Sequence, residues 1–138
     1  MPSEFTEKVI AEFRANRGRV GGELAHTPII LIHHIGAHTR AERVTPLAYS
    51  SQPDGRLVIA GSNGGSVAHP AWYHNLKAHP AITVELGTET FAALAEEVTG
   101  AEHARLWANL VVGSPSLAEF QAKTARRIPL FILTRGTA

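Results

Sequence analysis

The chain has 138 residues, 44% of them hydrophobic, and thirteen basic against twelve acidic side chains leave a formal net charge of +1. That length buries one core and points to a single domain over residues 1–138; the hydrophobic share excludes a disordered chain, and the balanced charge excludes a general nucleic-acid binder, which needs a clustered basic excess. The absence of cysteine removes disulfides, thiol catalysis and thiolate metal sites. No apolar run approaches the roughly 20 residues that cross a bilayer, and Glu4, Glu7 and Glu12 interrupt any signal-peptide core, so a cytoplasmic protein is the expectation.

Ser3 is placed to cap a helix over residues 4–16. Phe5, Val9, Ile10 and Phe13 fall on one face, with Glu7, Lys8, Glu12 and Arg14 elsewhere. Such a helix packs on the domain; the competing reading is a helix lying on a membrane surface, helped by Arg14, Arg17 and Arg19. Residues 28–34 suit a buried strand, 43–50 a second, Pro53-Asp54-Gly55 a turn and 56–61 a third strand. Pro70 suits the first turn of a short helix to about residue 77, with Pro80 just past its end. Strands over 81–86 and 89–98 flank Gly87-Thr88, a two-residue hairpin turn with glycine first. Thr99-Gly100-Ala101-Glu102 has the spacing of a capping box, and the helix after it carries Leu106, Trp107, Leu110 and Val111 on one side. Ser116-Leu117-Ala118-Glu119 repeats the box before another short helix, and residues 128–134 form a last strand with Pro129 near its start. About six short strands result. A parallel sheet needs a long crossover between strands, so a mostly antiparallel barrel with helical insertions, α+β or mainly β, explains the order better.

Eight histidines raise the question of a metal. His69, His74 and His79 are five apart, which turns about 140° round a helix, and His33 and His34 are neighbours on a strand that point to opposite faces; no metal site is expected. Nucleophile-elbow, Walker and dinucleotide-binding glycine motifs are missing. Two segments remain. Gly36-Ala37-His38-Thr39-Arg40-Ala41-Glu42-Arg43 gathers backbone N–H groups, a hydroxyl, an imidazole and guanidiniums that suit a phosphate or carboxylate, or else form a solvated turn. In 62–76, SNGGSVAHPAWYHNL, Gly64 and Gly65 let a ligand approach the backbone, Trp72 and Leu76 share a helical face, and Asn75 can bond a ring carbonyl or amide. The alternative there is a glycine turn feeding a helix whose Trp72 is ordinary core. Together the two segments suit the ends of one elongated ligand, an anionic tail and a planar ring.

Gly36-Ala37-x-Thr39…Arg43-x-Thr45-Pro46-Leu47, then Ala60-x-Ser62-Asn63-Gly64-Gly65…His69-Pro70-x-Trp72-Tyr73-His74-Asn75-Leu76…Pro80, and finally Thr124-x-Arg126-Arg127-Ile128-Pro129 resemble the deazaflavin-dependent nitroreductase family over nearly the whole chain. The resemblance implies a split β-barrel of the flavin-reductase-like kind. It also implies reduced coenzyme F-420 as cofactor and hydride transfer to an electron-poor small molecule such as a nitro compound, a quinone or an activated C=C. Carried onto this chain, Ala37, His38, Thr39 and Arg43 face the cofactor's phosphate end. Val44, Thr45, Pro46, Leu47 and Ala48 line the cofactor with their backbone, as do Ala60, Gly61, Ser62 and Asn63, while Trp72 and Asn75 flank the ring. Two departures stand out. Position 38 is usually lysine or arginine in the family and is His38 here, while position 40 is usually glycine and is Arg40 here; a neutral His38 weakens tail binding and a protonated one restores it. The tyrosines that relatives place over the substrate are missing from Ser114 to Phe120, which leaves Tyr49 and Tyr73 as the chain's phenols and no acid or base assigned. Two alternatives stay open: an FMN-binding split-barrel reductase, and a non-catalytic binder of lipid or another hydrophobic ligand.

Overall fold

In a computed structural model describing residues 4–22, 25 and 27–136, the apolar runs become antiparallel strands of one sheet. Its strands are β1 (Ile29–Ile35), β2 (Glu42–Ala48), β3 (Ser50–Ser51), β4 (Leu57–Ala60), β5 (Ala81–Leu86), β6 (Glu89–Val98) and β7 (Leu130–Arg135). They lie in the order β2-β1-β5-β6-β7-β4-β3, every neighbour antiparallel. Ile30 and Ile32 of β1 share one buried cluster with Leu57 and Ile59 of β4 and Phe131 of β7, although β1 and β4 stand far apart in that order. The sheet is therefore curled into a half-barrel around this cluster.

Four α-helices accompany the sheet among the described residues: α1 (Glu4–Ala15), α2 (Ala71–Ala78), α3 (Gly100–Gly113) and α4 (Ser116–Ala122). Trp72 and Leu76 of α2 join the inner cluster. Outside the barrel, Val9 and Phe13 of α1 cover Ile29 and Leu31, and Leu106 of α3 covers Val58, Val98, Leu130 and Ile132. β1, β4 and β7 are thus buried on both faces, which is why they read as continuous apolar runs. Arg14 ties α1 to the sheet through Glu85 at 2.7 Å, and that guanidinium holds the Glu85 carboxyl below its ordinary pKa.

The run expected as one strand over 43–50 is broken at Tyr49, whose N–H donates to Pro28 O. β2 then stands at one edge of the sheet and β3 at the other, joined through this single residue. The half-barrel is consequently closed at Tyr49 and splits above it, where β2 faces β4. Pro46 fits this position, since an edge strand tolerates a residue without an N–H.

Two caps differ from expectation. Thr99 is the residue before α3, yet its side chain makes no capping bond. Ser116 is the first residue of α4, with Pro115 before it, so the second box is out of register with the helix it was meant to start. Ser3 lies outside the described residues. The hairpin at Gly87-Thr88 is as expected: Leu86 pairs with Glu89, and Gly87 has φ +60°. No helix among the described residues is long and apolar enough to cross a membrane.

Candidate functional site at the split of the barrel

The split holds a cavity of about 680 Å³. Thr45 to Ser50 form one wall, and Val58, Ala60 and Ser62 the other. Phe5 and Val9 of α1 make one lip; Leu110 of α3 and Leu117 and Phe120 of α4 make the opposite one. The wall is largely apolar with scattered hydroxyls, the composition that receives a planar organic ring. Of the residues expected at the site, Thr45, Pro46, Leu47, Ala48, Ala60 and Ser62 line it. Tyr49 supplies a phenol to the wall, whereas Tyr73 donates its O–H to Glu97 elsewhere. The segment Ser114 to Phe120, expected on the substrate side, lines the cavity; the α1 lip was not foreseen, because its residues are ordinary apolar ones at the other end of the chain. A smaller hollow of about 230 Å³ beside Arg14 and Glu85 includes none of the expected residues.

The segment 36–43 lies at the far end of β2. Its backbone is less available to an anion than its composition suggests. Gly36 N–H donates to Ala41 O and Arg40 N–H to Gly36 O. Ala41 N–H is held by the Thr39 hydroxyl, and Ala37 N–H by Asn75 Oδ1 at 2.9 Å. The cationic and titratable groups this stretch leaves exposed are the side chains of His38, Arg40 and Arg43. Arg40 sits at φ +60°, the left-handed region that favours glycine. Arg43, Thr45 and Leu47 alternate along β2 and so share a face, and the last two of them line the cavity.

Asn75 and Trp72 have different roles from those expected. Trp72 is buried edge-on to Phe131, with ring centroids 5.7 Å apart, in the core and away from the cavity wall. Asn75 is buried too, and both ends of its amide are engaged within the protein: Oδ1 accepts from Ala37, and Nδ2 donates to His34 Nδ1 at 2.9 Å. It braces the turn and does not reach for a ring. The rest of the motif is architectural in the same way. His69 stacks on Tyr73 at 4.0 Å, and Leu76 is core.

Burial, then the charges of Arg43 and His33, push the His34 imidazole from 6.5 down to about 4. The fold therefore favours the neutral ring, and acid protonates the unfolded chain first. Stability is expected to hold above the ordinary value of 6.5, fall as pH drops toward about 4, and level off below it. The loss attributable to this group is on the order of 3 kcal/mol. Urea unfolding at a series of pH values checks this, with His34→Gln expected to flatten the profile over that window relative to the wild type.

Residues 61–69 are held by Arg126, which sequence reasoning quoted without assigning a role. Its guanidinium donates to Gly61 O, Ser62 O and Ser66 O and contacts His69 Nδ1 at 3.0 Å. Gly61 is buried with its N–H on Pro129 O, and the Asn63 amide donates to Ala68 O. Gly65 admits another part of the protein, not a ligand. It has φ +83°, and a Cβ there would meet the Phe120 carbonyl of α4 at 2.9 Å. Gly65→Ala is expected to lower stability by about 2 kcal/mol through strain and this clash, read as a shift in the urea midpoint.

The histidines are occupied individually. His33 meets Glu85, His34 lies between Asn75 and Thr45, and His103 bonds Ile128 O. Among the described residues no group of three His, Asp or Glu side chains could hold a metal ion.

Residues 6–135 match the family model described as F420H(2)-dependent quinone reductase. An F420H(2)-dependent quinone reductase of Mycobacterium tuberculosis is 36% identical over 129 residues, covering 91% of this chain and 86% of that protein. A solved F420-H2 dependent reductase superimposes with a TM-score of 0.69 at 36% identity, covering 77% of this chain and 93% of the other. A further structure, described as a domain-swapped dimer, gives 0.71 at 33% identity, covering 90% of this chain and 93% of the other.

Proposed function

This chain belongs to the F420H(2)-dependent quinone reductase family, and we propose that the split of its barrel holds the deazaflavin ring while Arg40 and Arg43 hold the anionic tail. Its cofactor is coenzyme F-420, and its activity is hydride transfer from the reduced cofactor to a quinone-type acceptor. FMN has no observation in its favour. One arrangement supports the placement: an apolar cavity against residues 45–50 and exposed guanidiniums at the other end of the same strand, the two ends an elongated, ring-and-tail ligand needs.

Coenzyme F-420, when bound, supplies the hydride. The chain's own residues position and shield. Thr45 to Ala48 and Ala60 to Ser62 form facing walls, and Phe5, Leu117 and Phe120 exclude water at the lips. The guanidiniums of Arg40 and Arg43, together with the exposed His38 and Thr39, receive phosphate and carboxylate oxygens. Val44 packs under α1, so it contributes to this wall through its backbone. Gly61, Asn63, Asn75 and Ala37 hold the wall and the turn in shape, and Trp72 fixes α2 beneath them. A quinone that accepts a hydride also takes one proton to become the hydroquinone, and Tyr49 carries the phenol that lines the cavity. The side chain of Phe5 is 63% exposed at the lip, which supports a second element of the reading: α1 touches a membrane surface, where lipophilic quinones reside.

Titration with oxidised coenzyme F-420, followed by the cofactor's own fluorescence with FMN run beside it, tests the placement. Saturable, F-420-selective binding that Arg43→Ala weakens, followed by turnover of a soluble naphthoquinone, is the expected result. Binding of FMN alone, or F-420 binding indifferent to Arg43, would overturn it.

A further inference from the structure

A buried line of hydrogen bonds ends at the cavity, and its direction is fixed from its start. Ala37 N–H can only donate, so the Asn75 atom 2.9 Å away is the carbonyl oxygen, Oδ1. The other end of that amide is therefore an N–H donor, and it lies 2.9 Å from His34 Nδ1. Nδ1 accepts, which places the hydrogen of a neutral imidazole on Nε2. Nε2–H then donates to Thr45 Oγ1 at 2.8 Å. A hydroxyl that has accepted from one side retains its own hydrogen for another partner, and Thr45 lines the cavity. His34 is 2% exposed and Asn75 6%, so little water competes along the line. Burial and Arg43 also keep the imidazole neutral down to about 4, well below neutral pH.

We infer that Thr45 is a hydrogen-bond donor to the bound cofactor, its hydroxyl hydrogen turned into the cavity by His34 and Asn75 toward an acceptor oxygen of the deazaflavin. This rests on the deazaflavin reading above. His34 and Asn75 are positioning residues: neither lines the cavity, and each acts through its neighbour. The arrangement offers a donor to ligands that present an acceptor at this point, while a ligand N–H would find only the second lone pair of the same hydroxyl. It also joins the two ends of the site, since the amide that shapes the tail-binding turn is the one that sets the hydroxyl beside the ring.

The test uses the full chain. F-420 affinity is measured by cofactor fluorescence for wild type, Thr45→Val and Thr45→Ser, with melting followed alongside. Valine keeps the shape and removes the hydroxyl, so affinity is expected to fall about tenfold, as for one lost hydrogen bond; serine restores the hydroxyl and is expected to recover nearly all of it. Equal affinity for the valine variant and the wild type, or equal loss for valine and serine, would overturn the donor role. Nitrogen-15 spectra of the ligand-free wild type at neutral pH, with His34 assigned through His34→Gln, separately read the ring. The Nε2–H tautomer supports the line as drawn, and the Nδ1–H tautomer or a charged ring overturns it. A wild type that binds no F-420 while showing the Nε2–H tautomer would sink the deazaflavin reading and the ligand half of this inference, and would leave the internal line standing.

Discussion

Asn75→Leu is expected to destabilise the protein by about 3 kcal/mol, because it leaves Ala37 N–H and the buried His34 Nδ1 without partners, each at about 1–3 kcal/mol. Leucine matches the size of asparagine well enough that packing alone does not account for such a loss. Asn75→Asp separates the two halves of the effect. An aspartate still accepts from Ala37, yet offers no hydrogen to His34, and its charge favours the imidazolium. The aspartate variant is therefore expected to lose less stability at mildly acid pH than at alkaline pH, the reverse of the wild-type trend near His34. Urea unfolding of the three proteins across that range reads both effects. An aspartate variant that follows the wild-type profile would show that His34 does not respond to position 75.

The second large effect concerns Arg40 and Arg43, and its signs are opposed. Arg40 occupies a backbone conformation with φ +60°, which disfavours any residue but glycine by about 1–2 kcal/mol. Arg40→Gly is expected to raise stability by about 1 kcal/mol and to weaken F-420 binding about tenfold, the effect of one lost charge-assisted contact. Combined with Arg43→Ala, the loss of affinity is expected to reach about a hundredfold if the two contacts are independent. The wild-type affinity should fall with added salt and the double variant's should fall less. A double variant that binds like the wild type would remove the tail from this end of β2. A single variant that is more stable and equally tight would leave the strain at Arg40 without a ligand to explain it.

The strands were legible because both faces of β1, β4 and β7 are buried and their residues read as apolar runs. Gly87 announced the hairpin, since a turn with glycine first has few other uses between two strands. What the residues could not announce is the break at Tyr49, where a backbone bond to Pro28 ends one strand and lets the chain cross to the other edge. That bond joins segments 21 residues apart, and no local preference encodes it. The site was legible in part. The resemblance named Thr45 to Ala48, Ala60 and Ser62, and the structure places these residues around the cavity. Trp72 and Asn75, which the resemblance set beside the ring, and Gly65, read from its residue type as room for a ligand, meet other parts of the protein here; residue type alone does not show whether a ligand or the protein itself uses them. Asn75 holds a turn, Trp72 fills a core, and Gly65 makes room for α4. The second capping box is out of register for a related reason: spacing alone does not show which residue leaves the helical conformation first, whereas Thr99 does stand at the start of α3 without making the side-chain bond.

The junction at Tyr49 bears on how the protein associates with other copies of itself. β2 and β3 are the two rims of one sheet, and the curl of the barrel brings β2 against β4. Hydrogen-bonding groups along a rim are ordinarily a template for stacking with other chains. A cofactor bound at the split, as proposed above, would occupy the place that otherwise admits such a partner, and a ligand that binds only the folded form raises its stability. Cofactor-free protein is then expected to aggregate more readily than the loaded form, which light scattering of the two during mild heating checks.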